Sequence, residues 1–118
     1  MRVLVYGAST NPERYAYIAT ELLLAKGHDV CLVGNKSGEV NGISIQVGQP
    51  TCTEIHTVTL YVGPKNQLDL LAYLLVINPK RVIFNPGTEN PALMKELASK
   101  GIEVEEACTL VMLHTGQF

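Results

Sequence analysis

The run Val3-Leu-Val-Tyr-Gly-Ala-Ser-Thr-Asn-Pro-Glu-Arg14 constrains this chain more than any other feature. Arg2–Tyr6 is an apolar strand that feeds a turn of small residues, Gly7-Ala8-Ser9-Thr10. Asn11 and Pro12 then signal the start of a helix. In an open α/β sheet this arrangement brings backbone N–H groups and a helix N-terminus to the carboxyl edge of the first strand, a place that suits a phosphate. The feature points to a nucleotide-like ligand and names no reaction.

The rest of the chain repeats the alternation. Tyr15, Ile18, Ala19, Leu22 and Leu23 fall on one helical face, and Lys26-Gly27 closes that helix. Asp29–Val33 is a second strand. Residues 34–49 carry Gly34, Gly38, Gly42 and Gly48 and read as a loop with one weak extended piece at Ile43 and Ile45. Thr57–Val62 is the next firm strand, followed by Gly63-Pro64 and a helix from about Asn66 with Leu68, Leu71, Ala72 and Leu75 as its inner stripe. Asn78-Pro79 stops it. Arg81–Phe84, a helix from Asn90-Pro91 with Leu93, Met94 and Leu97 inward, a strand at Ile102–Glu105 and a short helix from Thr109 complete the order. Short strands alternating with helices predict a doubly wound, Rossmann-like α/β fold. Its parallel five-stranded sheet is expected in the order 3-2-1-4-5, all within a single domain spanning residues 1–118. The functional edge is expected near Gly7, Gly34, Gly63 and Asn85.

Composition narrows the partners. A formal charge of -2 offers no basic field for nucleic acid or a membrane surface, and the longest apolar run, Leu70–Ile77, is too short to span a bilayer. Three cysteines, Cys31, Cys52 and Cys108, form neither a CxxC nor a zinc-like cluster, and their odd number fits poorly with a disulfide framework. The N-terminus lacks the pattern of a signal peptide, so a reducing cytoplasm is the expected setting. The three histidines are scattered, and no metal site is expected.

Several residues are placed to bind rather than to react. The first turn lacks the second and third glycines of a dinucleotide fingerprint, and no Walker A lysine succeeds it. Gly7 permits close backbone approach, while Ser9 and Thr10 offer hydroxyls and Asn11 a helix cap. Arg14 opposes the helix dipole, which either solvent exposure or pairing with an anion would explain. The second strand ends in Gly34-Asn35-Lys36, where a free ribose diol would call for a carboxylate. An ammonium there fits a phosphorylated ribose. Gly63 and Pro64 after the third firm strand suit a rigid wall. Glu89 suits the first turn of its helix better than acid–base chemistry. Cys108 is the one thiol near the functional edge and reads either as a buried structural group or as a reactive one. His28 and His56 lie at the opposite edge, and His114 near the C-terminus implies no catalytic triad.

Lined up in order, Val5-Tyr-Gly-Ala-Ser9, Asn11-Pro-Glu-Arg14, Val33-Gly-Asn-Lys36, Val62-Gly-Pro64, Asn85-Pro-Gly-Thr-Glu89 and Glu106-Ala-Cys-Thr109 resemble the small stand-alone CoA-binding domain family. That family is related to the Rossmann-like domain of the succinyl-CoA synthetase alpha subunit. The resemblance implies CoA or acyl-CoA as the ligand. It puts Gly7, Ala8, Ser9 and Arg14 near the diphosphate and Asn35 and Lys36 near the adenosine phosphate. Val62, Gly63 and Pro64 would flank adenine or the inner part of the ligand, with Glu89 and Cys108 towards pantetheine. Relatives commonly carry Asn-Pro-Lys where this chain has Gly34-Asn35-Lys36-Ser37 without the proline, and the synthetase's second domain with its phosphorylated histidine is missing. Ligase chemistry is therefore not implied, and a carrier, sensor or accessory protein is expected. A small NADP-dependent oxidoreductase and an interaction module with a decayed pocket are the alternatives. A homodimer or a partner enzyme is compatible with the exposed faces.

Overall fold

The computed structural model describes residues 1–118. Seven strands form one sheet: β1 (Arg2–Tyr6), β2 (Asp29–Gly34), β3 (Gly38–Val40), β4 (Ile43–Val47), β5 (Thr57–Leu60), β6 (Arg81–Phe84) and β7 (Glu103–Glu106). Four helices accompany them: α1 (Tyr15–Ala25), α2 (Leu70–Ile77), α3 (Pro91–Ser99) and α4 (Thr109–Thr115), with a 3₁₀ turn at Pro64–Asn66. The fold is α/β and Rossmann-like.

Sheet order is β3-β4-β2-β1-β5-β6-β7. All neighbours are parallel except β3 and β4, which pair as an antiparallel hairpin. Two expectations are corrected by this order. The sheet is mixed and has seven strands rather than five, and the firm strand at Thr57–Leu60 pairs with β1 instead of lying beyond β2. The expected loop explains both. Asn41 and Gly42 take positive φ of 49° and 82°, turning residues 38–47 into a hairpin whose second strand occupies the place beside β2. With that side filled, the chain crosses to the other flank of β1. The strand order therefore reverses between β1 and β5, which is where a ligand crevice forms in such sheets.

Strand alternation builds two cores. Val3, Val5, Val30 and Leu32 face α1 and α4, whereas Leu4, Cys31, Val33, Val58 and Phe84 face α2 and α3. Burial of this apolar surface on both faces is the main stabilising term.

Three local readings also change. Asn11 caps a turn and not the helix. Its Oδ1 accepts from Glu13 N at 3.0 Å, its carbonyl accepts from Arg14 N, and α1 begins at Tyr15. The inner face of α2 is Leu70, Tyr73, Leu74 and Ile77, not Leu68, Leu71, Ala72 and Leu75. Every residue of α2 is apolar apart from the hydroxyl of Tyr73, so periodicity fits either stripe, and the donation of Tyr73 Oη to Pro50 O at 2.8 Å goes with the inward one. Finally, Cys31 and Cys52 are joined as a disulfide despite the odd count, leaving Cys108 free. Alternation along β2 turns Cys31 towards the α2 face, where the segment leading to β5 passes over it.

Candidate functional site

A cleft of about 1000 Å³ opens at the carboxyl ends of the strands. The local sequence makes it possible at two glycines. Gly7 has φ of 103°, and a Cβ there would stand 3.0 Å from the backbone of Tyr61 and from the side chain of Val62. A Cβ on Gly34 would stand 2.5 Å from Ala8 O. Only glycine lets β1, β2 and β5 end this close together.

The first turn uses some of its donors on itself. The N–H groups of Gly7 and Ala8 both bond Val33 O, at 2.8 and 2.9 Å, which fixes the turn against β2. Asn11 N bonds Ser9 Oγ at 3.0 Å. The N–H groups of Ser9, Thr10, Tyr15 and Ala16 have no intramolecular acceptor. These four residues all line the cleft, and so does the exposed Arg14. Asn35 and Lys36 line it from the end of β2, and Val47 and Gly48 from the end of β4.

The opposite wall is Tyr61, Val62, Gly63 and Asn66 on one side and Pro86, Gly87 and Thr88 on the other. Gln67, 3% exposed, staples the two together. Its Nε2 donates to Val62 O at 2.8 Å and to Thr88 O at 2.9 Å, while its Oε1 accepts from Asn90 Nδ2 at 3.0 Å. Beneath this, Asn85 Nδ2 donates to Thr59 Oγ1 and Leu60 O, both at 2.7 Å, and its Oδ1 accepts from Thr109 N at 2.8 Å. A buried polar network with its hydrogen bonds made is rigid.

Ten of the thirteen residues singled out in the sequence come together around this cleft: Gly7, Ala8, Ser9, Thr10, Asn11, Arg14, Asn35, Lys36, Val62 and Gly63. Pro64, Glu89 and Cys108 do not line it. Pro64 opens the 3₁₀ turn, and the Glu89 carboxylate accepts from Gly87 N at 2.8 Å, shaping the turn after β6. Cys108 is half-buried at the start of α4. Sequence reasoning missed Tyr6, Tyr15, Val47 and Tyr61. The hairpin signal Asn41-Gly42 would have found Val47, since it fixes where β4 ends.

Electrostatics favour an anion. No Asp or Glu lines the cleft, whereas Arg14 and Lys36 do, in a chain whose net charge is -2. No histidine or cysteine lines it either. Burial pushes the Tyr61 phenol up to about 12. The hydroxyls of Thr59 and Thr109 stand close enough to oppose that shift, but they bond each other at 2.8 Å, and Tyr61 Oη makes no hydrogen bond of its own. Burial, then the charge of Asp69, also raises Tyr6, with the Gln49 side chain opposing. Neither tyrosine is tuned for proton transfer near neutrality.

Residues 1–114 match the model of the CoA binding domain. The chain belongs to the CoA-binding domain family. Several solved structures are similar to it. An uncharacterised protein whose crystal structure is known is 49% identical, with 99% of this chain and 97% of that one covered and a TM-score of 0.96. A hypothetical protein from Pyrococcus horikoshii OT3 is 31% identical over 98% of this chain and 82% of its own, with a TM-score of 0.83. A Thermus thermophilus protein is 25% identical over 99% and 90%, with a TM-score of 0.86. No curated protein matches the chain. No helix is long and apolar enough to cross a membrane, and no cluster of three or more His, Cys, Asp or Glu is arranged to hold a metal ion.

Proposed function

We propose that this protein binds CoA or an acyl-CoA in the strand-end cleft and acts as a carrier, sensor or accessory protein rather than as an enzyme. The observation that carries the reading is the cleft's charge and donor pattern. It has two cations, four unpaired backbone N–H groups and no carboxylate, at the topological switch point of a sheet in the CoA-binding family. The amides of Ser9 and Thr10, the open N-terminus of α1 and Arg14 suit the diphosphate, and dipole and donors act together there. Asn35 and Lys36 suit the phosphate on the adenosine ribose. Val62 and Gly63, with Tyr61 and Val47, offer apolar surface to adenine and the inner part of the ligand. Acid–base chemistry has no obvious agent among residues so placed.

Isothermal titration of the purified protein with CoA, dephospho-CoA and NADP tests this. CoA is expected to bind, and dephospho-CoA to bind about tenfold more weakly, as loss of one charge-assisted contact implies. The same loss is expected for Lys36→Ala titrated with CoA. Tighter binding of NADP than of CoA would replace the reading by an NADP-dependent one. No heat and no thermal stabilisation with any of the three would overturn it.

A further inference from the structure

The helix α2, Leu70-Leu-Ala-Tyr-Leu-Leu-Val-Ile77, contains no charged residue, and a helix apolar all round is ordinarily buried all round. In this fold only one stripe is covered. Leu68, in the turn leading into the helix, is 91% exposed, Val76 is 81% exposed and Leu75 is 36% exposed. Ala72 is exposed between them. Ala72 and Val76, four residues apart in α2, share one outward face with Leu75 beside them, and Leu68 stands exposed at its N-terminal end. Beside that face runs a groove of about 500 Å³ whose lining includes Pro50, Cys52, Ala72, Val76 and Ile77, with Glu54 as its one charged residue. Of the other exposed large apolar residues, Tyr15 and Ile18 lie on α1, Val111 on α4, Val47 at the end of β4 and Met1 at the N-terminus, none of them on α2.

We propose that this face is the interface with a second copy of the chain, with the two α2 helices packed antiparallel about a two-fold axis at Ala72. The residue pattern is self-complementary about that point. Ala72 lies midway between Leu68 and Val76, so an axis there sets Leu68 of one copy against Val76 of the other. A small residue at the crossing lets the helices approach closely. The sheet edges do not compete. β7 presents Glu103 and Glu106, which repel their own copies, while Glu105 faces Arg81, and β3 at the other edge has three residues. Area decides the strength. A standard interface takes about 800 Å² from each partner. Three large side chains and an alanine fall short of that without the adjoining groove, so the dimer is expected to be weak and reversible. The proposal is independent of what the strand-end cleft binds.

Sedimentation equilibrium from about 1 µM to about 1 mM reads the assembly over that range. The wild type is expected to pass from monomer to dimer, while Val76→Glu and Leu68→Asp stay monomeric at the highest concentration. Their melting temperatures at the low end are expected to match that of the wild type, because both side chains are exposed. In a Cys108→Ser background, Ala72→Cys is expected to form a covalent dimer on oxidation, and Lys100→Cys, at the end of α3, is not. A wild type that stays monomeric throughout overturns the proposal. So does dimerisation undiminished by the charged variants, or a dimer that Ala72→Cys fails to cross-link.

Discussion

Gln67 is the side chain whose loss separates stability from fit. It comes directly after the 3₁₀ turn, is 3% exposed, and holds Val62 O, Thr88 O and Asn90 Nδ2 at 2.8, 2.9 and 3.0 Å. Replacing it by Met keeps the volume and removes all three bonds. Each net hydrogen bond contributes about 1 kcal/mol, and a buried carbonyl left bare costs about 1–3 kcal/mol. With partial relaxation of the freed groups, the total is about 2–4 kcal/mol. Unfolding entropy of about 2.1 cal/mol/K per residue gives about 250 cal/mol/K for 118 residues, hence a fall in Tm of about 8–16 °C. Calorimetry measures that fall, and titration with CoA measures the second effect. Because Val62 and Thr88 belong to the two segments that make up one wall of the cleft, affinity is expected to drop about tenfold in Gln67→Met, at a temperature where the variant is fully folded. A Tm loss of less than about 3 °C would refute the energetic argument. Full destabilisation with unchanged affinity would show that the staple holds the fold and not the cleft.

Three further outcomes are expected. Reducing the Cys31–Cys52 bridge, or replacing Cys52 by Ala, releases a loop closed over 21 residues, which corresponds to about 3 kcal/mol of stability. Denaturant titration with and without reductant measures this, and intact-mass analysis under non-reducing conditions checks the pairing. Tyr61 has a folded pKa of about 12 against the ordinary 10.0. Its contribution is therefore intact below pH 10 and is lost as pH rises towards 12, by about 2–3 kcal/mol in all. Tyr61→Phe is expected to make that alkaline decline shallower and, since Tyr61 Oη is buried without a partner, to cost nothing at pH 7. Gly34→Ala sets a Cβ 2.5 Å from Ala8 O, and is expected to lower both Tm and CoA affinity by displacing the first turn.

Much of the fold is written in local patterns. Apolar runs and Gly or Pro punctuation mark β1, β2, β5 and β6, and the glycines at positions 7 and 34 announce where strands end against one another. The hairpin is harder to read because Gly38-Glu-Val40 and Ile43-Ser-Ile-Gln-Val47 are short, and only the Asn41-Gly42 turn sets their register. Missing it puts β5 on the wrong side of β1, since sheet order depends on which neighbouring places are already filled. The candidate site is legible to the extent that it lies on strand ends. Pro64, Glu89 and Cys108 come after strand ends too, yet local hydrogen bonding and the start of a helix direct them away from the cleft.

Helix α2 is the element that periodicity alone cannot orient. A helical period identifies a stripe of apolar residues, but it points inward only if the remaining face is polar. In α2 both stripes are apolar, so the choice passes to whatever fixes the helix in the fold. Gln67 anchors its N-terminal approach to the cleft, Tyr73 Oη bonds Pro50 O, and Asn78 in the left-handed conformation ends it. Those anchors turn Leu70, Leu74 and Ile77 onto the sheet and leave Leu68, Ala72 and Val76 outside. Exposure of such a stripe costs solubility without contributing to the core, and an occupant would remove that cost. Leu68 is the neighbour of Gln67, which joins the two segments of the Val62–Thr88 wall of the cleft. An occupied α2 face would therefore hold the 3₁₀ turn and the Val62 wall more firmly, and CoA titrated above the dimer Kd is expected to bind more tightly than CoA titrated below it. Equal affinities at the two protein concentrations would show that the two surfaces are energetically separate.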